Sequence, residues 1–202
     1  MDFKILLVLS LIIISYQNPT NDLLKDETDE EYLEREGFFP FASKITDKIY
    51  LGSVLNALDK WELQYDNISH VLCCAKELKD YYPDNFEYKL LHLSDVPKED
   101  IVRYFYDSIK FIDSATRNVF VHCIVGKSRS ASNVIAYLMY KEKKSFDEVF
   151  NYVRQHRWIV YPNSGFIEQL KNLDIYYQKS NYDLEGLKGM TRVSLEEWIK
   201  IH

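Results

Sequence analysis

Cysteine is scarce in this sequence: Cys73, Cys74 and Cys123 are the three in 202 residues, and two of them are adjacent. An odd count with an adjacent pair argues against the disulfide framework of a small secreted domain. No Cys-x-x-Cys or Cys/His cluster has the spacing of zinc ligands, so no metal is expected. A reducing, cytoplasmic setting fits best. An excess of positive charge is also missing. Nine of the 31 acids but three of the 25 bases lie in residues 1–36, leaving 22 of each in residues 37–202. The body is thus electrically balanced, and it lacks the basic footprint that nucleic acid requires of a partner. Glycine (6) and proline (5) are few, and no internal repeat or low-complexity tract occurs. These features predict one globular domain, long enough to bury a full core.

A membrane-spanning run is lacking too. The longest apolar stretch, ILLVLSLIII at residues 5–14, falls short of the ~20 residues that cross a bilayer. It has the length of a signal-peptide core, yet the following SYQNPT offers no good small-x-small cleavage site. Residues 1–17 therefore read either as a membrane anchor or secretory signal, or as an ordinary apolar element. Residues 18–40 are acidic and polar and read as a linker. A domain is expected over residues 41–180, followed by a C-terminal extension, 181–202.

Within the domain, short apolar runs alternate with amphipathic ones. KIYLG (48–52), SHVLCCA (69–75), YKLLHL (88–93) and NVFVHC (118–123) read as strands. Residues 100–115 carry Ile101, Phe105, Ile109 and Ile112 at helical spacing, with Asp100 as the expected N-cap. Further helices are expected over 130–143, 145–157 and 163–178. Ser145 and Glu148 form a capping box for the second of these, and Ser194 with Glu197 suggests a short helix near the C-terminus. Strands interleaved with helices imply an α/β domain: a central, largely parallel mixed sheet flanked by helices.

One loop stands out. In VFVHCIVGKSRSASNVIAYLMY (119–140), Cys123 closes a strand and Arg129 opens a helix, with Gly126 between them. Ligands of open α/β sheets bind at such strand ends, and a helix N-terminus draws anions through its unpaired N–H groups. The backbone of Ile124, Val125, Gly126, Lys127, Ser128 and Arg129 can curl into a nest of amides, for which Gly126 permits unusual dihedrals. The same field favours thiolate over thiol at Cys123. Arg129 adds a planar fork for two phosphate oxygens. Ser130 can hydrogen-bond the sulfur and ease its departure from a phosphoryl intermediate. His122 is placed to orient the loop rather than to act as a base. Together these residues describe a phosphate cradle with a sulfur nucleophile at its base.

HCIVGKSRS resembles the signature of the cysteine-dependent protein tyrosine phosphatases, and SRSAS…AYLM their dual-specificity branch. IYLGSVLNALD, ISHVLCCAKE, FIDSATRNVFVHC and YPNSGFIEQL extend the similarity over roughly residues 44–177. The resemblance implies a protein tyrosine phosphatase-like fold without a cofactor. It implies hydrolysis of phosphotyrosine and phosphoserine/threonine in proteins, with a phosphorylated protein, a kinase among the candidates, as partner of a monomer. It places the general acid in LHLSDVPKEDI, where Asp95 matches; Asp100 is the rival, but its position favours capping the helix that follows. Asn163 in YPNSGF is expected to cap a helix and support the loop. Cys74 falls where some relatives, notably tensin-type lipid phosphatases, carry a cysteine that forms a reversible disulfide with the nucleophile, although a buried strand cysteine is the simpler reading. Lys127 leaves one alternative open, a phosphoinositide or other non-protein phosphatase, since extra loop bases suit inositol headgroups. A catalytically dead phosphate-binding module is disfavoured by the presence of Cys123, Arg129 and Asp95.

Overall fold

Strands and helices alternate from Ser43 to Ile201 in the computed structural model, which describes residues 41–202. The apolar segment 1–17 and the acidic stretch 18–40 lie outside the described residues. Five strands form one sheet: β1 (Ser43–Lys44), β2 (Ile49–Gly52), β3 (Ile68–Cys73), β4 (Glu87–Leu90) and β5 (Asn118–His122), in the order β1-β2-β5-β3-β4. β1 pairs antiparallel with β2, and every other pair is parallel. The mixed, largely parallel sheet expected from the sequence is present, and β5 sits at its centre. A parallel strand covered on both faces needs apolar residues on both sides. Val119 and Val121 of β5 accordingly face the main core, and Phe120 packs into a smaller cluster with Val71, Ile68, Ala57 and Leu63.

Two short helices, α1 (Val54–Leu58) and α2 (Lys60–Tyr65), cover that smaller cluster. Ser53 and Asp59 start them by accepting hydrogen bonds from Leu55 N and Glu62 N, so two turns are set by local caps with little apolar periodicity behind them. The main core lies on the other face, under α3 (Val102–Ser114), α4 (Arg129–Glu142), α5 (Phe146–His156), α6 (Ser164–Ser180) and α7 (Arg192–Ile201). α4 runs through the middle of it, with every residue from Arg129 to Met139 buried. Leu184, Leu187 and Leu195 join the same core, so residues 181–202 pack onto the domain. Among the described residues no helix is long and apolar enough to cross a membrane.

Two capping expectations are corrected. Asp100 does not cap α3. Its N-cap residue, Ile101, has helical dihedrals and no side-chain cap. The amides of Ile101 and Val102 instead donate to Oε1 of buried Gln169, at 3.0 and 3.4 Å, and Asp100 is left to accept from Arg192 N at 3.0 Å. A side chain 68 residues away satisfies the helix start, which no local rule can detect. In the C-terminal helix, the N-cap is Thr191 rather than Ser194. Ser194 is the N3 partner of the box, accepting from Thr191 N at 2.8 Å while Thr191 Oγ1 accepts from Ser194 N at 3.2 Å. The Ser145–Glu148 box at α5 and the Asn163 cap at α6 are as expected.

Candidate active site

Cys123 follows the last residue of β5 and Arg129 is the first residue of α4, so the intervening loop is held by a central strand and a buried helix. The loop's carbonyls are tied outward one after another. Ile124 O accepts from Val54 N at 3.1 Å, and Lys127 O from Tyr161 N at 3.0 Å. Val125 O and Gly126 O accept from Nη2 and Nε of Arg157, at 3.0 and 3.1 Å. With its carbonyls committed outward, the loop turns amides toward its concave side, which is the requirement for gripping an anion. Gly126 has φ +79° and passes so close to β2 that a Cβ would stand 2.6 Å from Gly52 O and 2.8 Å from Arg157 Nη2. Only glycine fits both the dihedral and the space.

Cys123 Sγ accepts from Gly126 N at 3.3 Å and from Ser130 Oγ at 3.2 Å. Burial pushes its pKa up, yet the Arg129 charge, the hydroxyl and amide of Ser130 and the Gly126 amide together outweigh burial, and the thiol ionises below its ordinary value. Arg129 is itself buried. Its Nη1 donates to Glu77 Oε2 at 2.7 Å and to Leu93 O at 3.2 Å, while Nε has no hydrogen-bond partner among the described residues. Such a donor fits an anion that the site is built to receive. Asp95 stands across the cleft. Its Oδ1 accepts from Ser128 Oγ (2.7 Å) and Asn163 Nδ2 (2.9 Å), and its Oδ2 lies 3.7 Å from Arg129 Nε. A cleft of about 330 Å³ is lined by Cys123, Asp95, Arg129, Lys127, Val125 and Tyr161, among others.

Asn163 Oδ1 caps α6 by accepting from Phe166 N (3.0 Å), its backbone N–H donates to Ser128 Oγ of the loop (3.1 Å), and its Nδ2 donates to Asp95, a contact the sequence reading did not include. Ser128 does more than contribute an amide, since its hydroxyl bridges Asp95 and the Asn163 amide. Lys127 is exposed at the rim. Cys74 lies one residue past the Cys73–His122 pair of the sheet, and its amide donates to His122 O at 2.8 Å. Burial, then the neighbouring Cys73 and Cys123, raise its thiol well above the usual range. All three cysteines are free thiols. Among the described residues no group of three His, Cys, Asp or Glu side chains could hold a metal ion. Glu77 and Arg157 were missed from the sequence. Their partners are 52 and about 31 residues away, and neither residue sits in a local pattern.

His122 lies under the loop, its ring flat against Phe120 at 5.2 Å and its Nδ1 3.4 Å from Cys123 O. Burial drives its pKa down from 6.5 to about 4. Between those values the unfolded chain binds a proton that the folded one refuses, so stability is present above pH 6.5 and drains as the pH falls toward 4. The expected loss from pH 7 to pH 5 is about 2 kcal/mol. Urea unfolding at both pH values should show this difference, and His122→Asn should flatten it. An unchanged slope in that variant would mean His122 titrates normally in the fold.

Cys123 within its loop, buried Arg129 beside it and the Asp95 carboxyl facing them make the kind of site that a cysteine-based phosphatase uses. The family model described as dual specificity phosphatase, catalytic domain, matches residues 49–175, and the chain belongs to that family. Dual specificity protein phosphatase 1 of Arabidopsis thaliana is 39% identical over 142 residues, covering 69% of this chain and 72% of that protein. MAP kinase phosphatase with leucine-rich repeats protein 1 of Dictyostelium discoideum is also 39% identical, over 132 residues, which are 64% of this chain and 16% of that one. Among solved structures, DUSP15 is similar with a TM-score of 0.66 at 26% identity, covering 79% of this chain and 97% of that one.

Proposed function

We propose that this protein removes phosphate from phosphotyrosine and phosphoserine/threonine in proteins through a cysteinyl-phosphate intermediate at Cys123. The observation that carries the reading is the sulfur itself: it accepts two hydrogen bonds and ionises below the ordinary thiol value beside buried Arg129, whose Nε has no hydrogen-bond partner among the described residues. In the first step the thiolate attacks phosphorus in line, the S–P bond forms and the O–P bond breaks. Asp95 delivers its proton to the departing oxygen from Oδ2, the carboxyl oxygen not engaged by Ser128 and Asn163. Loop amides and Arg129 hold the equatorial oxygens, supplying the electrostatic stabilisation of the transition state. In the second step Asp95 takes a proton from water as its oxygen attacks phosphorus. The S–P electron pair returns to sulfur, where the Ser130 hydroxyl stabilises the thiolate.

A protein substrate is supported by the relatives, whose names describe protein and MAP kinase phosphatases. Lys127 and Arg129 are the bases lining the cleft, beside exposed Val125 and Tyr161, which is modest provision for a multiply charged headgroup. The free thiols support a reducing, cytoplasmic setting. The buried Cys74 thiol, with its raised pKa, is a slow attacking group, which supports the reading of a buried strand cysteine over that of a disulfide partner for Cys123. Phosphate release should be measured with matched phosphotyrosine and phosphothreonine peptides beside a phosphoinositide panel. Release from both peptides is the expected result. Release from lipid alone would overturn the protein reading and make Lys127 a substrate contact.

A further inference from the structure

Residues 181–202 lie beyond the family match, and the sequence pattern assigns their helix no task. The structure sets that helix against the loop carrying Asp95. Loop 94–100 is irregular backbone, and its position decides where the carboxyl group stands. Its inner side is held by the domain: Asp95 by Ser128 and Asn163, and Glu99 O by Gln169 Nε2 at 2.9 Å. Pro97 O packs so tightly on the first turn of α6 that a Cβ at Gly165 would lie 1.9 Å from it.

The outer side is held by the first residue of α7. Arg192 N donates to Asp100 Oδ1 at 3.0 Å, and Arg192 Nη1 reaches Pro97 O at 3.5 Å. The same guanidinium is fixed in place by Glu168 Oε2 on α6 (2.8 Å) and Glu196 Oε1 one turn along α7 (3.0 Å). α7 itself is anchored, with Leu195 buried and Trp198 edge-on to Tyr176 at 4.7 Å. A two-point tether from an anchored helix thus spans the loop from Pro97 to Asp100.

We propose that Arg192 and Asp100 are positioning residues, through which the C-terminal helix braces the general-acid loop and holds Asp95 over the cleft. The inference rests on Asp95 being the acid. Proton transfer requires a heavy-atom separation of about 2.6–3.2 Å, and a misplacement of about 1 Å can cost up to ~100-fold. The hydrogen-bond partners of Cys123 lie on its own loop and α4, outside the braced segment. Loosening the brace therefore weakens protonation of the leaving group and leaves the nucleophile as it was.

The test uses the full chain and two substrates, an aryl phosphate with a good leaving group and an alkyl phosphate with a poor one. Arg192→Ala, which removes the side-chain contact to Pro97 O, and Asp100→Ala, which removes the acceptor of the Arg192 backbone N–H, each cut one of the two points and are each expected to lose about tenfold in kcat on the alkyl phosphate and under about twofold on the aryl one. The pH profile of Cys123 alkylation should not move. In an Asp95→Ala background, Arg192→Ala should add nothing further, because both changes remove one function. Arg192→Lys, which keeps a cation for Glu168, should recover part of the loss. Equal losses on both substrates, or none, would overturn the brace while Asp95→Ala still discriminates between them. If Asp95→Ala itself fails to discriminate, the acid assignment falls and the brace falls with it.

Discussion

Cys123→Ser is expected to lose turnover by about 10⁴-fold or more while still binding inorganic phosphate. The two halves of that expectation have different origins. Turnover needs a nucleophile that is ionised near neutral pH, and the site lowers a thiol's pKa by an amount that cannot ionise a serine hydroxyl. The low value at Cys123 is a balance in which burial opposes ionisation and Arg129, Ser130 and Gly126 overcome it. Binding needs the amides and the Arg129 fork, which are held by groups other than the sulfur. Ile124, Val125, Gly126 and Lys127 are tied through their carbonyls, and Arg129 through Glu77 and Leu93. Phosphate release should be followed under single-turnover conditions, with phosphate affinity measured by titration on the same protein. Appreciable turnover would sink the covalent mechanism, whereas loss of phosphate binding would mean that the thiolate itself shapes the loop.

The second large effect is expected at Arg157, a residue that is not part of the described cleft lining. Its guanidinium is buried and donates to Val125 O, Gly126 O and Ser43 Oγ, so it joins the phosphate loop to β1. Charge-assisted bonds of this kind contribute about 1.5–3 kcal/mol each, and removing one partner leaves buried carbonyls without a donor. Arg157→Met should destabilise the fold by about 3–5 kcal/mol. It should also lower kcat by about 100-fold, because amides released from their outward ties no longer hold the equatorial oxygens in the transition state. Arg157→Lys can restore one bond of the fork and should fall between the two proteins. Denaturant unfolding gives the first quantity, and kcat measured well below the unfolding transition gives the second. A stability loss with kcat unchanged would reduce Arg157 to a structural strut.

These two residues mark how far local pattern carries. Cys123, Gly126, Arg129 and Ser130 lie within eight consecutive residues, between a run of β-branched and aromatic residues and an apolar helix. Their chemistry depends on a strand end and a helix start, which short-range periodicity reveals. The same is true of Ser145 and Asn163, whose caps act on amides three residues away. Asp100 failed because the rule applied to it is local and the answer was not: Gln169 reached the α3 amides first. Ser194 was misassigned because it matches the Ser-x-x-Glu pattern with Glu197, whereas the observed cap is Thr191, whose N3 partner is a serine that the pattern does not name.

What the sequence determined by itself was the class of fold and the placing of Cys123, Gly126, Arg129 and Ser130 on one loop between a strand and a helix. Both are written in periodicity and in the spacing of neighbouring residues. The tertiary structure decided which distant side chains complete the site: Arg157 on the loop's carbonyls, Glu77 on Arg129, Gln169 at the start of α3, and Arg192 on the loop of Asp95. The physical reason is that a buried polar group must find a partner somewhere, but any donor or acceptor that folding brings within about 3 Å will serve. That demand leaves no trace at a fixed spacing in the chain, and only the packed sheet and helices choose the partner.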